Sequence, residues 1–476
     1  MDKTERESQE HIKEVGANFV SNAYALKKDK KYQEAYNILL PLLEKDEMPS
    51  YFCDAAGWVI YYYLKANLEK LQPVEFYKIM HYYLNFWDEK ASMLHSYMMV
   101  LALNKEKKQK NGPLFISFCS SWKLNSLRDE DFKSNVGKTK EGKTITFSSL
   151  AVQIAITLYK SIKVSPERKK LAEEYQPYFS TIKEKCPEFE FSPLYMANLE
   201  AWQGNKDEAI SQFKNMLCSR PQWYLWNSLG DILEGSLRIS CLCKAITMMD
   251  DEKFIVKIHL QLAELLKPSE PQQAAYELNK YMETSHNNGW HITQESMLLE
   301  QELKNQTASA NGKAYYREHV SEAEDFVYNS FPETELEYTG KTTNKQGKPR
   351  AELKNRGKHI YLKCPYTPEL KKAKVGDIFA CRLNKSGHSS TLLTIHYLRH
   401  NERAIPQTNT NAEGSKIISG TINKRDYQEY AFIDHQYYIL KEIVSSMNLK
   451  NGQKAKAKIK KLNNGKLRVS KIISIE

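Results

Sequence analysis

Residues Gly137–Thr144 have the types and spacing of a loop that binds nucleotide phosphates. The run Gly-Lys-Thr-Lys-Glu-Gly-Lys-Thr matches the pattern Gly-x-x-x-x-Gly-Lys-Thr at every position. In such a loop, backbone amides at a helix N-terminus hold the phosphates, Lys143 contacts the terminal phosphates and Thr144 binds magnesium. This chemistry requires a buried strand directly before the loop and a helix directly after it.

The sequence around this run does not predict those two elements. Asp129–Val136 is charged and polar, unlike a buried strand, and Ile145–Phe147 favours a second strand rather than a helix. A helix is predicted only from Ser148 or Ser149, which would be its N-cap. No alternating α/β pattern surrounds the run. The sequence therefore favours a charged surface hairpin, and an enzyme that binds nucleotide through Gly137–Thr144 is kept as an alternative function.

No other set of residues predicts catalysis or metal binding. The twelve histidines include no His-Glu-x-x-His spacing, and His396 and His400 lie in a predicted strand, where such residues are about 13 Å apart. The cysteines include no Cys-x-x-Cys, and the close pair Cys241 and Cys243 lacks a second pair to complete a zinc site. We therefore expect a non-enzymatic protein with no catalytic residues, cofactor or metal.

A second group of residues, near the C-terminus, could bind single-stranded nucleic acid. Tyr430, Phe432 and Tyr438 lie in short alternating runs typical of strands, and bases stack on such rings regardless of sequence. The alternation places Tyr430 and Phe432 on the same face of a strand, so they could instead fill the core of a small barrel. A buried tyrosine hydroxyl would need a hydrogen-bond partner, which favours the outward orientation.

The positive charge of the chain is concentrated in the same region. Residues 331–476 contain 28 lysines and arginines against 13 aspartates and glutamates, whereas residues 1–330 contain 41 against 45. A dense basic surface gives salt-dependent affinity for phosphate backbones. A lysine-rich surface that only keeps the protein soluble is the alternative.

The C-terminal region resembles the cold-shock family of oligonucleotide-binding barrels. The resemblance rests on Gly420-Thr421-Ile422, Gln428–Ile433, Tyr437–Leu440 and Leu449–Ala455, although the first strand lacks the family's aromatic residues and Leu440 stands where the family has a stacking histidine. It implies single-stranded RNA or DNA as the ligand, with RNA favoured. The residues expected to contact it are Lys424, Arg425, Tyr430, Phe432, Tyr438, Lys454, Lys456 and Lys458.

Residues 336–400 predict a first small barrel of the same general kind. Five strand-like runs are separated by glycines, and Val375–Ala380 resembles a turn and strand common in oligonucleotide-binding barrels. The expected contacts are Lys341, Arg350, Tyr361 and Lys363.

The first 320 residues have the 3.6-residue apolar period of amphipathic helices. Ala197, Ala209, Phe213 and Pro221 have the offsets of one tetratricopeptide repeat, and Trp226-x-x-Leu-Gly resembles the opening of the next. Gly57–Leu64 is apolar most of the way round, so this helix is expected to be buried between neighbours. The resemblance implies an α-solenoid whose surface binds a protein partner.

The predicted protein is therefore multidomain, an N-terminal all-α helical-repeat solenoid followed by two small β-barrels. Its order is helical repeats over 1–125, further repeats over 126–320 after an irregular insertion, a connector over 321–335, a first barrel over 336–400, a linker over 401–415 and a cold-shock-like barrel over 416–476. This layout resembles components of prokaryotic anti-phage systems, in the segments Ala17–Leu42, Trp58–Leu64, Asp131–Leu150 and the tail. A pure protein scaffold, whose barrels dock proteins, is a further alternative.

The chain is expected to be cytoplasmic. No run approaches eighteen apolar residues, the N-terminus is charged where a secretory signal would be apolar, and the scattered cysteines suit a reducing compartment.

Overall fold

The described residues of the computed structural model form two compact units. The described ranges are 18–45, 48, 52–87, 90–139, 141–142, 144–344, 347–363, 368–386, 389–401, 417–424, 429–434, 437–461 and 467–475. One unit comprises Met1–Glu333 with Arg382–Thr394, and the other comprises Thr334–Cys381 with Ile395–Glu476. The first is mostly helical and the second is rich in strands, which confirms the predicted change of secondary structure near residue 331.

The first six helices precede a short two-stranded hairpin. They are α1 (residues 18–28), α2 (Tyr32–Lys45), α3 (Cys53–Ala66), α4 (Pro73–Phe86), α5 (Met93–Lys108) and α6 (Gly112–Trp122). The buried His95 of α5 stacks between the rings of Trp87 and Trp122, with centroids 3.7 and 3.9 Å away. Its Nε2 lies 3.2 Å from the Trp122 carbonyl oxygen, so this side chain joins the ends of α4 and α6 to α5.

The sequence predicts an irregular stretch from Asn104 to Thr146, and this stretch is shorter in the structure because α6 lies within it. Asn111 caps this helix, since its side chain accepts a hydrogen bond from the Leu114 amide, and a proline occupies the first turn, where its missing N–H costs nothing. Two 3₁₀ turns (Leu124–Ser126 and Asp129–Phe132) lead to strands β1 (Asn135–Lys138) and β2 (Thr144–Phe147), which pair antiparallel.

Ten further helices complete the helical unit. They are α7 (Leu150–Lys163), α8 (Arg168–Lys185), α9 (Ser192–Gln203), α10 (Lys206–Ser219), α11 (Trp223–Ile232), α12 (Gly235–Thr247), α13 (Glu252–Leu266), α14 (Pro271–Asn287), α15 (Gln294–Leu303) and α16 (Gly312–Tyr328). Neighbours such as α9 and α10 form helical hairpins, and Ala197, Ala209 and Phe213 are fully buried in that pair. The helical N-terminal region is thus confirmed, and its description as tetratricopeptide repeats stays a prediction.

One packing arrangement differs from a stack in which each helix pair contacts only the next. Helix α16 packs against α12, four helices earlier in the chain. Ser236 and Ser240 of α12 donate hydrogen bonds of 2.7 Å to the two carboxylate oxygens of Glu322, and Lys244 pairs with the buried Glu324. Contacts beyond the nearest neighbour are not part of an ideal solenoid.

The first strand-rich segment is a five-stranded sheet. Its strands are β3 (Glu333–Thr343), β4 (Pro349–Asn355), β5 (Lys358–Lys363), β6 (Asp377–Ser386) and β7 (Ser389–His400), in the order β5-β4-β3-β6-β7. A five-residue helix, α17 (Pro368–Lys372), precedes β6. The distal hairpin residues Arg382–Thr394 belong to the helical unit, where Arg382 pairs with Asp325 at 2.6 Å. The sequence predicts that this sheet closes into a barrel, and that closure stays a prediction.

The second strand-rich segment is a closed five-stranded barrel, as predicted. Its elements are β8 (Ile417–Asn423), β9 (Ala431–Ile433), β10 (Tyr437–Ile439), α18 (Lys441–Ser446), β11 (Lys454–Lys461) and β12 (Leu467–Ile475). The strand order around the barrel is β10-β12-β11-β8-β9, and β10 pairs parallel to β12. Val444 and Leu449, at and just beyond α18, are buried in the barrel core.

Gly420 allows β8 and the end of β9 to approach closely. A Cβ atom at this position would collide with the carboxylate of Asp434, whose Oδ1 accepts a hydrogen bond of 2.8 Å from the Thr421 amide. Asp434 has a φ of 48° and ends β9 before the turn into β10. The pairs Asn451-Gly452 and Asn464-Gly465 are typical of hairpin turns. The first forms a turn, with a φ of 82° at the glycine, and the second lies outside the described residues.

No helix among the described ranges is long and apolar enough to cross a membrane.

Candidate nucleic-acid interface

The alternation along β9 and β10 separates the core of the barrel from its outer face. Ala431, Ile433 and Ile439 are fully buried and belong to the barrel core. Phe432 and Tyr438 point the other way and are partly exposed, because successive side chains of a strand lie on opposite faces. Core packing is therefore supplied by small and aliphatic residues, and these rings are not needed to fill it.

Tyr430, Phe432 and Tyr438 form a single cluster on the outer face, which we call the aromatic platform. Phe432 and Tyr438 are directly paired across β9 and β10, with ring centroids 5.7 Å apart. The centroid of Tyr430 lies 5.8 Å from that of Phe432 and 5.6 Å from that of Tyr438. The angles between ring planes are 65°, 83° and 45°, so none of the three pairs is stacked face to face.

The aromatic platform continues across neighbouring strands in one row. Asn423 of β8 is paired with Phe432, and Arg468 of β12 is paired with Tyr438. The Nε atom of Arg468 is buried and has no hydrogen-bond partner among the described residues. An arginine beside aromatic rings can contact phosphate or stack on a base.

The sequence predicts a final strand at Lys466–Val469 but does not single out Arg468 as a contact residue. The parallel pairing of β10 with β12 places it beside Tyr438, and this pairing joins residues thirty positions apart. The alternation in Leu467–Val469 could have indicated that Arg468 faces outward. Only the strand order shows which ring it neighbours.

The predicted lysines of β11 lie on the outer face of the barrel. Lys454, Lys456 and Lys458 are exposed, and the intervening Ala455 and Ala457 are buried. Lys458 is paired with Lys471 of β12, which adds a further positive charge to this face. The like charges are in register and lack carboxylate partners among the described residues, which favours binding of an anionic partner.

The remaining predicted barrel contacts are the neighbours Lys424 and Arg425. Lys424 follows β8, and its backbone amide donates a hydrogen bond of 2.9 Å to the Asn451 side chain, which joins this position to the turn before β11. Arg425 lies outside the described residues. Glu429, next to the aromatic platform, is paired with Lys441 at 2.7 Å, so its charge is compensated.

The four residues predicted on the first sheet are only partly brought together. Arg350 of β4 is paired with Lys363 of β5, and Tyr361 lies two residues along the same face. The side chain of Lys363 is not among those described. Lys341 is paired with Ala351, which places it on the opposite face of the sheet from Arg350.

The environment of this face is mixed in charge. Tyr361 is 48% exposed, and its hydrogen bond with Glu352 raises the pKa of the phenol. Glu352 also accepts from His359 at 2.9 Å. An acidic residue at the centre of the group disfavours phosphate, so the closed barrel has the more suitable surface.

The Gly137–Thr144 run forms a hairpin rather than the strand-loop-helix arrangement of a phosphate loop. Gly137 lies within β1, and Thr144 begins β2. The following helix begins at Leu150 with Ser149 as its N-cap, as predicted, and the Ser149 hydroxyl accepts from the Val152 amide at 3.2 Å. The amides of this helix are therefore several residues away from Thr144, and Lys143 lies outside the described residues.

The helical unit contains a buried polar network between α13, α14 and α16. His259 Nδ1 lies 2.6 Å from Glu277 Oε2, and its Nε2 lies 2.8 Å from Glu252 Oε2. Tyr316 donates to Glu277 at 3.0 Å. Burial lowers the pKa of His259, but hydrogen bonds and charge from Glu252 and Glu277 raise it more, so its pKa lies above the ordinary value.

An open cleft of about 540 Å³ lies near this network, lined by polar residues that include Glu270, Gln273 and Tyr315. Within the described ranges, no group of three histidines, cysteines or acidic residues could hold a metal ion. Burial raises the pKa of Cys241 to about 12, which makes its thiol a poor nucleophile at neutral pH.

Comparison with known families gives one match within the helical unit. A family described as Domain of unknown function (DUF7017) matches residues 190–323, from just before α9 to within α16. The match includes the His259 network and excludes both sheets of the C-terminal region. No curated protein matches the chain.

Proposed function

We propose that this chain is a non-enzymatic adaptor that binds single-stranded nucleic acid, with RNA favoured over DNA, through its basic C-terminal region. The aromatic platform carries the proposal. Its three rings lie on the outer face of a closed barrel, are not required for the core, and meet one another at angles of 45° to 83° between ring planes rather than face to face. Stacking of a base on a ring of this kind contributes about 1–3 kcal/mol to the binding free energy.

The strand order of the barrel supports the same function. Numbered along the chain, the strands follow one another around the barrel as 1-2-3-5-4 and close on 1. This is the order of the Greek-key barrels that bind oligonucleotides on the face of their second and third strands. In this chain those strands are β9 and β10, which hold the aromatic platform.

The distribution of charge supports an anionic ligand. Arg468 of β12 lies on the strand next to β10 of the aromatic platform, and the exposed lysines of β11 lie one strand further on, within the third of the chain that holds all of the net positive charge. Phosphates would contact these cations while bases stack on the rings. The cold-shock-like character of this barrel and a barrel-like closure of the first sheet belong to this proposal.

The helical unit would hold a protein partner in the same adaptor. Tetratricopeptide-like hairpins supply extended surfaces for this purpose. A cytoplasmic location, which rests on the scattered cysteines, and a role in anti-phage defence, which rests on the resemblance to such systems, complete the proposed assignment. If the barrel docks a protein instead, the chain is a pure protein scaffold.

The test is a fluorescence-anisotropy titration of the full chain with labelled oligo(U) and oligo(dT) of about 20 nucleotides. We expect micromolar or tighter binding that weakens at least tenfold between about 50 and 200 mM salt. Replacing two rings in Tyr430→Leu/Phe432→Leu keeps apolar side chains but removes the stacking faces. Affinity should then fall about hundredfold, which corresponds to about 1.4 kcal/mol for each ring.

The matched control is Phe254→Leu, which removes an exposed ring from α13 in the helical unit and should leave oligonucleotide affinity unchanged. Equal affinity of the double variant and this control would contradict stacking on the platform. Failure of the full chain to bind either oligonucleotide would favour the protein-scaffold alternative.

A further inference from the structure

A second aromatic and basic surface lies on the helical unit. Trp58, Tyr61 and Tyr62 of α3 are only partly buried, and Tyr97 of α5 is 39% exposed. The prediction that the whole of Gly57–Leu64 is buried between helices was wrong for this face, because only Val59, Ile60, Tyr63 and Leu64 enter the core together with Gly57. We call these four rings, with Tyr24, Tyr32, Lys27, Lys28 and Lys65, the tyrosine–lysine surface.

The lysines of this surface lie against the rings instead of pairing with carboxylates. Lys27 Nζ is 3.9 Å from the ring centroid of Tyr24 and 5.3 Å from that of Tyr62, and Lys65 Nζ is 5.6 Å from that of Tyr61. Neither ammonium group has a carboxylate partner in the described part of the chain. Two uncompensated positive charges within an aromatic surface are complementary to an acidic partner.

The ring packing favours a peptide over a nucleic acid as that partner. Tyr61 stacks on Tyr97 with planes 26° apart, and Tyr32 stacks on Tyr62 with planes 13° apart. Since these faces are covered by neighbouring rings and by lysine ammonium groups, few faces remain for bases. The edges and hydroxyl groups that remain suit apolar side chains and carboxylates.

The apolar composition around the rings agrees with a protein interface. Met93 and Val100, on either side of Tyr97 on α5, are 49% and 37% exposed. Tryptophan, tyrosine and methionine are enriched in protein interfaces and contribute much of their binding energy.

We infer that the tyrosine–lysine surface binds an acidic, apolar-containing peptide segment of a partner protein. Carboxylates of the segment would pair with Lys27 and Lys65, while its apolar side chains pack on the edges of Trp58, Tyr61 and Tyr97. This inference rests on the proposed role of the helices as a protein-binding region and does not depend on the ligand of the barrel.

The probe is a labelled peptide of about twelve residues in which Glu and Asp alternate with Leu and Phe, titrated into the full chain by fluorescence anisotropy. Lys27→Glu/Lys65→Glu should weaken its binding at least about tenfold, since attraction becomes repulsion. Tyr97→Ala should weaken binding through loss of apolar contact. The control Lys169→Glu/Lys257→Glu makes the same charge change at exposed positions on α8 and α13 and should bind as the unmodified chain does.

The same variants are titrated with oligo(U), which separates this inference from the proposed function of the barrel. Substitutions in the aromatic platform should lower oligo(U) affinity. Lys27→Glu/Lys65→Glu and Lys169→Glu/Lys257→Glu should bind oligo(U) with equal affinity. The inference is overturned if the unmodified chain does not bind the peptide, if both lysine pairs weaken it equally, or if Lys27→Glu/Lys65→Glu selectively reduces oligo(U) binding.

Discussion

The aromatic platform and the tyrosine–lysine surface are both rich in tyrosine but arrange their rings differently. On the platform, the three pairs of ring planes meet at 45° to 83°, so none of these pairs is stacked face to face. On the tyrosine–lysine surface, two of the ring pairs are stacked and lysines lie over two further faces. Composition alone therefore does not distinguish a surface for bases from a surface for side chains.

The supporting elements explain this difference. A strand presents every second side chain on one face, so Phe432 and Tyr438 meet across a pair of strands whose core face holds Ala431, Ile433 and Ile439. On a helix, residues three and four apart share a face, so Trp58, Tyr61, Tyr62 and Lys65 lie together and pack on one another. The strand spreads its rings, whereas the helix brings them into mutual contact.

The largest expected effect comes from destabilising the helical unit, which tests whether its surface can be perturbed without changing the aromatic platform. His259→Gln removes the group held between Glu252 and Glu277 and should lower the free energy of unfolding of the helical unit by about 3 kcal/mol at pH 6. Oligo(U) affinity, measured where the variant is still folded, should be unchanged. The measurement is urea unfolding followed by circular dichroism.

The pH dependence of this effect follows from the direction of the pKa shift. The pKa of His259 in the folded protein is raised above the ordinary value of about 6.5, so the histidine contributes stability that is fully present below that pH. This contribution should disappear as the pH rises through the folded pKa. The difference in the free energy of unfolding between the unmodified chain and His259→Gln should therefore shrink above neutral pH. A difference that grows with pH would contradict a stabilising, positively charged His259.

Much of the architecture could be predicted from the sequence, because periodicity depends on local spacing. Alternation in residues 430–440 predicted two strands that carry Tyr430, Phe432 and Tyr438, and Ser148 or Ser149 was predicted as a helix N-cap. The position of Arg468 beside Tyr438 could not be predicted in this way, since it depends on parallel pairing between strands distant in the chain. The packing of α16 on α12 depends on a similar long-range contact.

The burial of α3 shows a different limit of sequence reasoning. An apolar stretch predicts burial, but tyrosine and tryptophan also occupy partly exposed surfaces because each has a polar group. One face of α3, with Val59 and Tyr63, is buried, and the other face, with Trp58 and Tyr62, is partly exposed. This difference depends on which helices pack nearby.

A smaller effect tests whether Arg468 extends the aromatic platform. Arg468→Gln should lower oligo(U) affinity about tenfold, because it removes a charge-assisted contact beside Tyr438. Peptide binding to the tyrosine–lysine surface should not change. Arg468→Lys retains the charge without the planar guanidinium group and should give an intermediate affinity, measured by the same anisotropy titration. Affinity equal to that of the unmodified chain in both variants would exclude Arg468 from the interface.

The smallest effect concerns Lys456, a single lysine on β11. Lys456 is exposed on β11, with buried neighbours on both sides, so its replacement by alanine should leave the barrel folded. If it neutralises one phosphate, Lys456→Ala should reduce the slope of log affinity against log salt by about 0.7 and weaken oligo(U) binding about fourfold near 0.15 M salt. Lys456→Arg keeps the charge and should keep the slope. An unchanged slope in Lys456→Ala would mean that Lys456 is a solvent-exposed residue that contacts no phosphate. The ligand-contacting face would then consist of the aromatic platform and β12.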